Sequence, residues 1–241
     1  TALAEGQDSI DHLDAYAEAL VPPGHALNGE APQFFGQNLA DGMDTARIVD
    51  LARTTAEAEV WQVPTLSLVE TTTGPLSLEA LNARPGMEML VETMLGNWTG
   101  AVENIRGSMT VAQREKFLET RRALLVAMQR EGVGLLLGSD APQIMNVPGY
   151  SVHQELAYYV NAGLTPLEAL QTGTINVARY FGEDDRGQIA PGMVADLVLL
   201  EANPLEDIGN PTRILGVALG GEWHNRQDLE RRLDGVRGRK L

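Results

Sequence analysis

The stretch Gly132–Pro142, Gly-Val-Gly-Leu-Leu-Leu-Gly-Ser-Asp-Ala-Pro, limits the fold more than any other part of the 241-residue chain. The run Val133 to Leu137 is apolar and bounded by Gly132 and Gly138. Such a run reads as a buried strand of a parallel sheet, because a strand covered on both faces has no polar alternation. Gly138-Ser139 ends it and a single carboxylate, Asp140, follows. α/β barrels carry their chemistry at the C-terminal ends of strands. Asp140 is therefore a candidate catalytic residue, although a carboxylate here could also cap a loop.

Composition narrows the partners. The net charge is −15 and the isoelectric point is near 4.6. Nucleic acids and anionic membranes select basic faces, so neither is expected as a partner. The 44% apolar fraction can build a real core. No cysteine is present, which removes thiolate ligands, thiol nucleophiles and disulfides. No apolar run reaches membrane-spanning length. A soluble protein is expected, with a cytoplasmic, periplasmic or secreted location left open. The chain starts at Thr1 rather than Met, and Thr1 to Gly6 reads as the last turn of a helix closed by Gly6. We therefore expect a missing N-terminal part.

Along the chain, Asp8 to Leu13 reads as a short strand that carries His12 to its end. A lone His is more often structural, but this one holds the place on its strand that Asp140 holds on its own. Asp14 to Leu20 is expected to be helical, residues 21–42 an irregular excursion containing His25, and Asp44 to Glu59 a helix. Val60 to Val69 contains the next strand, Trp61 to Val63, with Pro64-Thr65-Leu66 turning outward, since proline is costly inside a sheet. Short helices are expected at Leu78–Leu81 and Met87–Leu95. A long helix, Val111 to Arg130, is capped by Thr110, with a stripe of Phe117, Leu118, Arg121, Leu124, Leu125 and Met128. Ser151 should cap a helix running to Asn161. Thr165, Pro166 and Glu168 form a capping box, and Thr174 should cap a helix ending at Gly182. From Asp185 the texture turns to β structure: a strand and turn over Gly187–Gly192, a strand Ala195–Leu200, and a hairpin of Arg213–Leu219 with Glu222–His224 about Gly220-Gly221. The expected organisation is a barrel portion over 1–184, with a helical and loop insertion at about 20–130. A β segment over 185–224 and a charged helix or tail over 225–241 follow.

The chemistry available is limited. The four histidines are His12, His25, His153 and His224, and no His-x-His occurs. Gly-x-Ser-x-Gly and phosphate-binding glycine loops are absent. His12 and Asp140 remain as strand-tip groups sharing one mouth. A catalytic metal takes three or more protein ligands, so a metal site would need ligands not in this sequence.

Asp8 to Leu13, Leu135 to Pro142, Ala162 to Leu170, Thr172 to Ala178 and Gly187 to Val198 together resemble the metal-dependent amidohydrolase superfamily. The likeness is to its imidazolonepropionase-like and Xaa-Pro or Xaa-Arg dipeptidase-like branch, over roughly residues 1–20 and 130–220. The resemblance implies an α/β fold, the C-terminal portion of a (β/α)8 barrel covering about strands six to eight, plus a small β-sandwich segment. It implies that His12 binds metal after strand six and that Trp61–Val63 is strand seven. It also implies that Asp140, after strand eight, binds metal and acts as general base on the attacking water. The expected cofactor is one or two Zn²⁺ ions. The family's His-x-His on strand one, bridging carboxylated Lys on strand four and His on strand five have no counterpart, and Lys116 lies in a helix. Tyr16 and His153 are candidate substrate contacts.

The expected activity is hydrolysis of amide or peptide-like C–N bonds. A cyclic-amide hydrolase or deaminase is the alternative within the superfamily, and a non-catalytic barrel remnant is the alternative outside it. Expected partners are a small-molecule or short-peptide substrate, the N-terminal half of the barrel and a further copy in a homo-oligomer. An isolated half barrel exposes a sheet edge and apolar helix faces, so residues 1–241 alone are not expected to form a soluble monomer. Aggregation on purification would agree with this, and clean cooperative unfolding of a monomer would contradict it.

Overall fold

The computed structural model describes residues 2–237. Thr1 of the expected helix end and residues 238–241 of the expected charged tail lie outside the described residues. Ala2–Glu5 forms a 3-10 turn. Strand β1 (Ser9–Asp11) leads through a tight turn to helix α1 (Tyr16–Leu20). The excursion that follows ends in a kinked 3-10 segment, Phe34–Gly42. Helix α2 (Ile48–Glu57) then feeds strand β2 (Trp61–Val63), and the two strands pair in parallel with Ser9 opposite Trp61.

The apolar run 133–137 lies on the far side of β2. Gln62 N–H donates to the Gly134 carbonyl (2.8 Å) and Leu136 N–H donates to the Gln62 carbonyl (2.9 Å). The expected strand is thus an extended segment held by one parallel bridge, Gln62 to Leu135. It leaves the ladder early because Leu137 N–H turns to the carbonyl of Thr172. Close approach sets this pairing. A Cβ on Gly134 would fall 2.3 Å from the Trp61 indole, so only glycine lets the two segments meet.

Beyond Pro64 the chain forms helix α3 (Leu66–Thr73), all eight residues of which are buried. A helix covered on every side loses the amphipathic period, which is why the strand candidate read through to Val69. Helices α4 (Leu78–Asn82) and α5 (Glu92–Gly107) follow. Helix α6 (Val111–Glu131) starts at the Thr110–Gln113 capping box. Helix α7 (Ser151–Ala162) is not capped by Ser151, because Tyr150 takes that place. The Ser151 hydroxyl bonds instead to Ser139 Oγ (2.8 Å) and donates to the Val147 carbonyl (3.0 Å). Helix α8 (Pro166–Thr172) has the expected Thr165–Glu168 box. Thr174 precedes helix α9 (Ile175–Phe181) but its hydroxyl donates back to the Leu170 carbonyl, so it does not cap.

The remaining strands form an antiparallel sheet, β3 (Leu197–Leu200), β4 (Ile214–Leu219) and β5 (Glu222–Asn225), with helix α10 (Arg226–Arg237) after it. Residues 187–190 are irregular, without the expected strand, and the turn falls at Pro191-Gly192. Val198, Leu199, Leu219 and Trp223 of this sheet are each at least half exposed.

The main core joins β1, α1, α2, α3, α6 and α7 through Leu13, Leu20, Leu66, Phe117, Leu124, Leu125, Leu135 and Tyr159, among others. The span 20–130 is therefore not one insertion: α2, β2 and α6 belong to this core. A second cluster, Leu81, Met87, Leu90, Val102, Met145 and Val147, joins α4 and α5 to the loop after Asp140. Gly86 marks the junction, with φ +92, and a Cβ there would fall 2.6 Å from the Tyr150 ring.

Gly134→Ala should destabilise the fold by about 1–3 kcal/mol, the usual range for overpacking, measured by denaturant unfolding. An unchanged midpoint would contradict the close packing of Trp61.

Candidate active site

Three parallel segments end on one side of the molecule, and the residues at their tips are bent out of the strand conformation. His12 follows β1 at φ 59, Thr65 follows β2 at φ 48, and Asp140 follows the run 133–137 at φ 55. Each is a non-glycine residue in the left-handed region, which costs about 1 kcal/mol or more and persists where surrounding contacts enforce it.

The tips touch. His12 Nε2 lies 3.9 Å from Asp140 Oδ2. The other ring nitrogen, Nδ1, is 2.8 Å from the Thr65 hydroxyl. The contact of Nδ1 with Thr65 fixes the ring so that Nε2 faces Asp140. The His12 N–H donates to the Val63 carbonyl, which locks its backbone to β2. The Phe35 ring stacks on the His12 ring with centroids 4.8 Å apart, and Phe34 packs on Phe35 at 4.7 Å. The Asp140 carboxylate remains accessible, with a side-chain exposure of 38%. Gln143 Nε2 approaches its Oδ2 at 3.5 Å.

An imidazole nitrogen and a carboxylate oxygen are the donor types that suit a divalent ion such as zinc. Two donors at about 2.1 Å from a common ion can stand no more than about 4.2 Å apart. The 3.9 Å spacing falls inside that limit. His12 and Asp140 thus fit as two ligands, while no group of three or more such side chains occurs among the described residues.

Behind the tips lies a buried polar frame that the sequence pattern did not single out. Glu155 on α7 is fully buried and accepts hydrogen bonds from Leu66 N–H (2.7 Å) and Ser67 N–H (2.5 Å), the first amides of α3. Burial pushes its carboxyl up to about 7, against the pull of those two amides. Asn146, also buried, donates to Ser67 Oγ (3.2 Å) and to the Ser139 carbonyl. Arg121 on α6 is buried and donates to the His12 carbonyl. Glu155 and Arg121 each replace an apolar residue on the inward stripe of a helix, and that misplacement is the signal by which sequence could have found them.

The other expected site residues stand apart. Tyr16 is 3% exposed, and its hydroxyl bonds to Thr55 Oγ1 on α2 (2.8 Å). Burial raises its pKa to about 12. Tyr16 is therefore core rather than a substrate contact, because one turn after His12 the side chain already points into the α1–α2 packing. His153 lines a groove with Leu170, Val177, Leu197 and Ile214, between α7–α9 and the antiparallel sheet. The structure does not bring it to the His12–Asp140 pair, and burial holds its pKa low. His25 is a loop residue whose Nδ1 accepts from Leu27 N–H, and His224 packs under Arg232.

The Glu155 carboxyl carries a pH dependence. Its value in the fold, about 7, exceeds the ordinary 4.5. Between these values the unfolded chain releases the proton while the folded chain keeps it, so stability falls as pH rises from about 4.5 to about 7. At about 1.4 kcal/mol per unit, the loss is on the order of 3 kcal/mol. The stability advantage of wild type over Glu155→Gln should shrink across that range in denaturant unfolding. A difference independent of pH would contradict this.

A sequence model of the amidohydrolase family matches residues 26–224. An adenine deaminase of Ligilactobacillus salivarius is 38% identical over 92 residues, which cover 37% of this chain and 16% of that protein. An ochratoxinase of Aspergillus niger is 36% identical over 99 residues, covering 39% and 20%. Among solved structures, a bottromycin amidohydrolase superposes with a TM-score of 0.63 at 20% identity over 99% of this chain and 50% of its own. A Xaa-Pro dipeptidase with bound methionine superposes with a TM-score of 0.57 at 20% identity, over 93% and 41%. These two structures share the fold of this chain, which spans half or less of their length and a fifth or less of the two relatives above. The match covers most of the sequence, and the chain belongs to the amidohydrolase family.

Proposed function

We propose that the chain is part of a metal-dependent hydrolase of amide or peptide-like C–N bonds, with His12 and Asp140 holding a divalent cation, one or two Zn²⁺ in the complete site. The observation that carries this reading is the 3.9 Å approach of His12 Nε2 to Asp140 Oδ2 at the tips of parallel segments. The three segments are read as strands six, seven and eight of a (β/α)8 barrel, and β3–β5 as part of a β-sandwich. The remaining ligands and the rest of the barrel are assigned to sequence outside this chain.

A divalent cation, when bound, lowers the pKa of a coordinated water toward about 7 and polarises the scissile carbonyl. Asp140, accessible at the mouth, accepts the proton of the attacking water and returns it to the departing nitrogen as the C–N bond breaks. His12 keeps Nε2 aimed at the same point because Thr65 holds Nδ1. Phe35 closes one side of the His12 ring and limits water there. A small molecule or short peptide is the proposed substrate. The names dipeptidase and ochratoxinase among the similar proteins accord with this reading. A cyclic-amide hydrolase or deaminase is the second reading, favoured by the adenine deaminase likeness over 92 residues.

Asp140→Asn in the full-length protein should lower kcat by at least about 10²–10⁴-fold, the range for loss of a general base, with an unchanged circular dichroism spectrum. Chelation should abolish turnover of an acyl dipeptide panel and zinc should restore it. Wild-type rates in the variant, or in the chelated protein, would contradict the proposal.

A further inference from the structure

We propose that Arg121 is the positioning residue of this site: a buried guanidinium that clamps the backbones of His12 and Phe35 and so aims the His12 ring. The inference rests on the metal role given to His12 above and concerns what holds that residue in place.

Arg121 is 2% exposed and is the largest fully buried side chain among the described residues. No carboxylate lies within ion-pair distance of it, among the described residues. Asp14, Glu155 and Glu18 act on it only through their fields, and burial pulls its pKa down to about 10. A charge kept in a core without a partner costs several kcal/mol, and replacement by an apolar residue of similar volume is normally tolerated or stabilising. The polar contacts that the guanidinium makes are therefore the place to look for its use.

Those contacts are two carbonyls. One Nη donates to the His12 carbonyl, and the other lies 3.5 Å from the Phe35 carbonyl. Both acceptors sit in the left-handed region, His12 at φ 59 and Phe35 at φ 58, with Phe34 and Gly36 beside the latter also at positive φ. Those are conformations that the residues would leave if nothing held them. The guanidinium also lies 6.0 Å from the Phe35 ring centroid and 5.4 Å from that of Phe117. Arg121 thus draws the tip of β1 and the 34–36 turn together, and the result is the 4.8 Å stacking of Phe35 on the His12 imidazole. Arginine suits the task because its planar fork reaches two acceptors at once, which the single ammonium of lysine does not.

The test uses the full-length protein in the variants Arg121→Met, Arg121→Lys and Met128→Ala. Zinc affinity is measured by competition titration, site geometry by the visible spectrum of the Co²⁺-loaded protein, and folding by circular dichroism and denaturant unfolding. Arg121→Met is expected to fold, to raise the zinc Kd by about 10–100-fold, as loss of a residue supporting a ligand does, and to shift the Co²⁺ bands. Arg121→Lys, which keeps the charge, is expected to recover part of that affinity. Met128→Ala removes core packing from the same helix two turns away, and should lower stability while leaving Kd and the Co²⁺ spectrum unchanged. Wild-type Kd and spectrum in Arg121→Met would overturn the proposal, as would an equal loss of affinity in Met128→Ala. If only Arg121→Lys folds, an unchanged Kd in that variant overturns it. A wild-type protein that binds no zinc at all would instead overturn the metal reading on which the clamp rests.

Discussion

The site depends on one buried carboxylate. Helix α3 begins directly at the tip of β2, with all its residues buried. Its first amides therefore have no water to turn to, and unpaired amides in a core are costly. Glu155 reaches across from α7 and accepts from two of them. This frees Thr65, the residue in the N-cap position, from capping the helix. Its hydroxyl is instead 2.8 Å from His12 Nδ1. The capping of one helix and the orientation of the candidate metal ligand are in this way the same arrangement. Asn146 extends it to the third tip by bonding both Ser67 and the carbonyl that precedes Asp140.

Much of this was legible in the sequence, and the failures have physical causes. β2 falls at Trp61–Val63 as the position of Pro64 implies, and the capping boxes at Thr110 and Thr165 follow their local chemistry. His12 and Asp140 each follow a short extended segment, as read from the sequence, and the structure brings the two side chains together. Tyr16 was misread because spacing along the chain says how close a residue is to His12 but not which way it points. Helix α3 was missed because burial on all sides erases the helical period. Glu155 and Arg121 are visible only as charges on apolar stripes, and a sequence alone does not say whether such a charge is a partnered core group or a solvated edge.

The second apolar cluster has a place in this account. Helices α4 and α5 pack on Met145 and Val147, in the loop that leaves Asp140. Arg84 ties the same region to α7 through Tyr158 (2.6 Å) and Gln154 (3.1 Å). This segment is therefore fastened to the loop that leaves Asp140. Substrate contacts that distinguish members of a fold are carried on such segments, since the strands themselves are fixed by packing. The antiparallel sheet, with apolar side chains exposed on β3 and β4, offers a surface of the kind that other parts of a chain cover.

The central claim is that His12 and Asp140 share one divalent cation. An anomalous difference map, recorded above and below the zinc edge from crystals of the full-length protein grown with zinc, tests it most directly. The account predicts a peak that lies within bonding reach of both His12 Nε2 and Asp140 Oδ2. An ordered His12–Asp140 pair with no peak between them, or zinc bound only elsewhere, would contradict it.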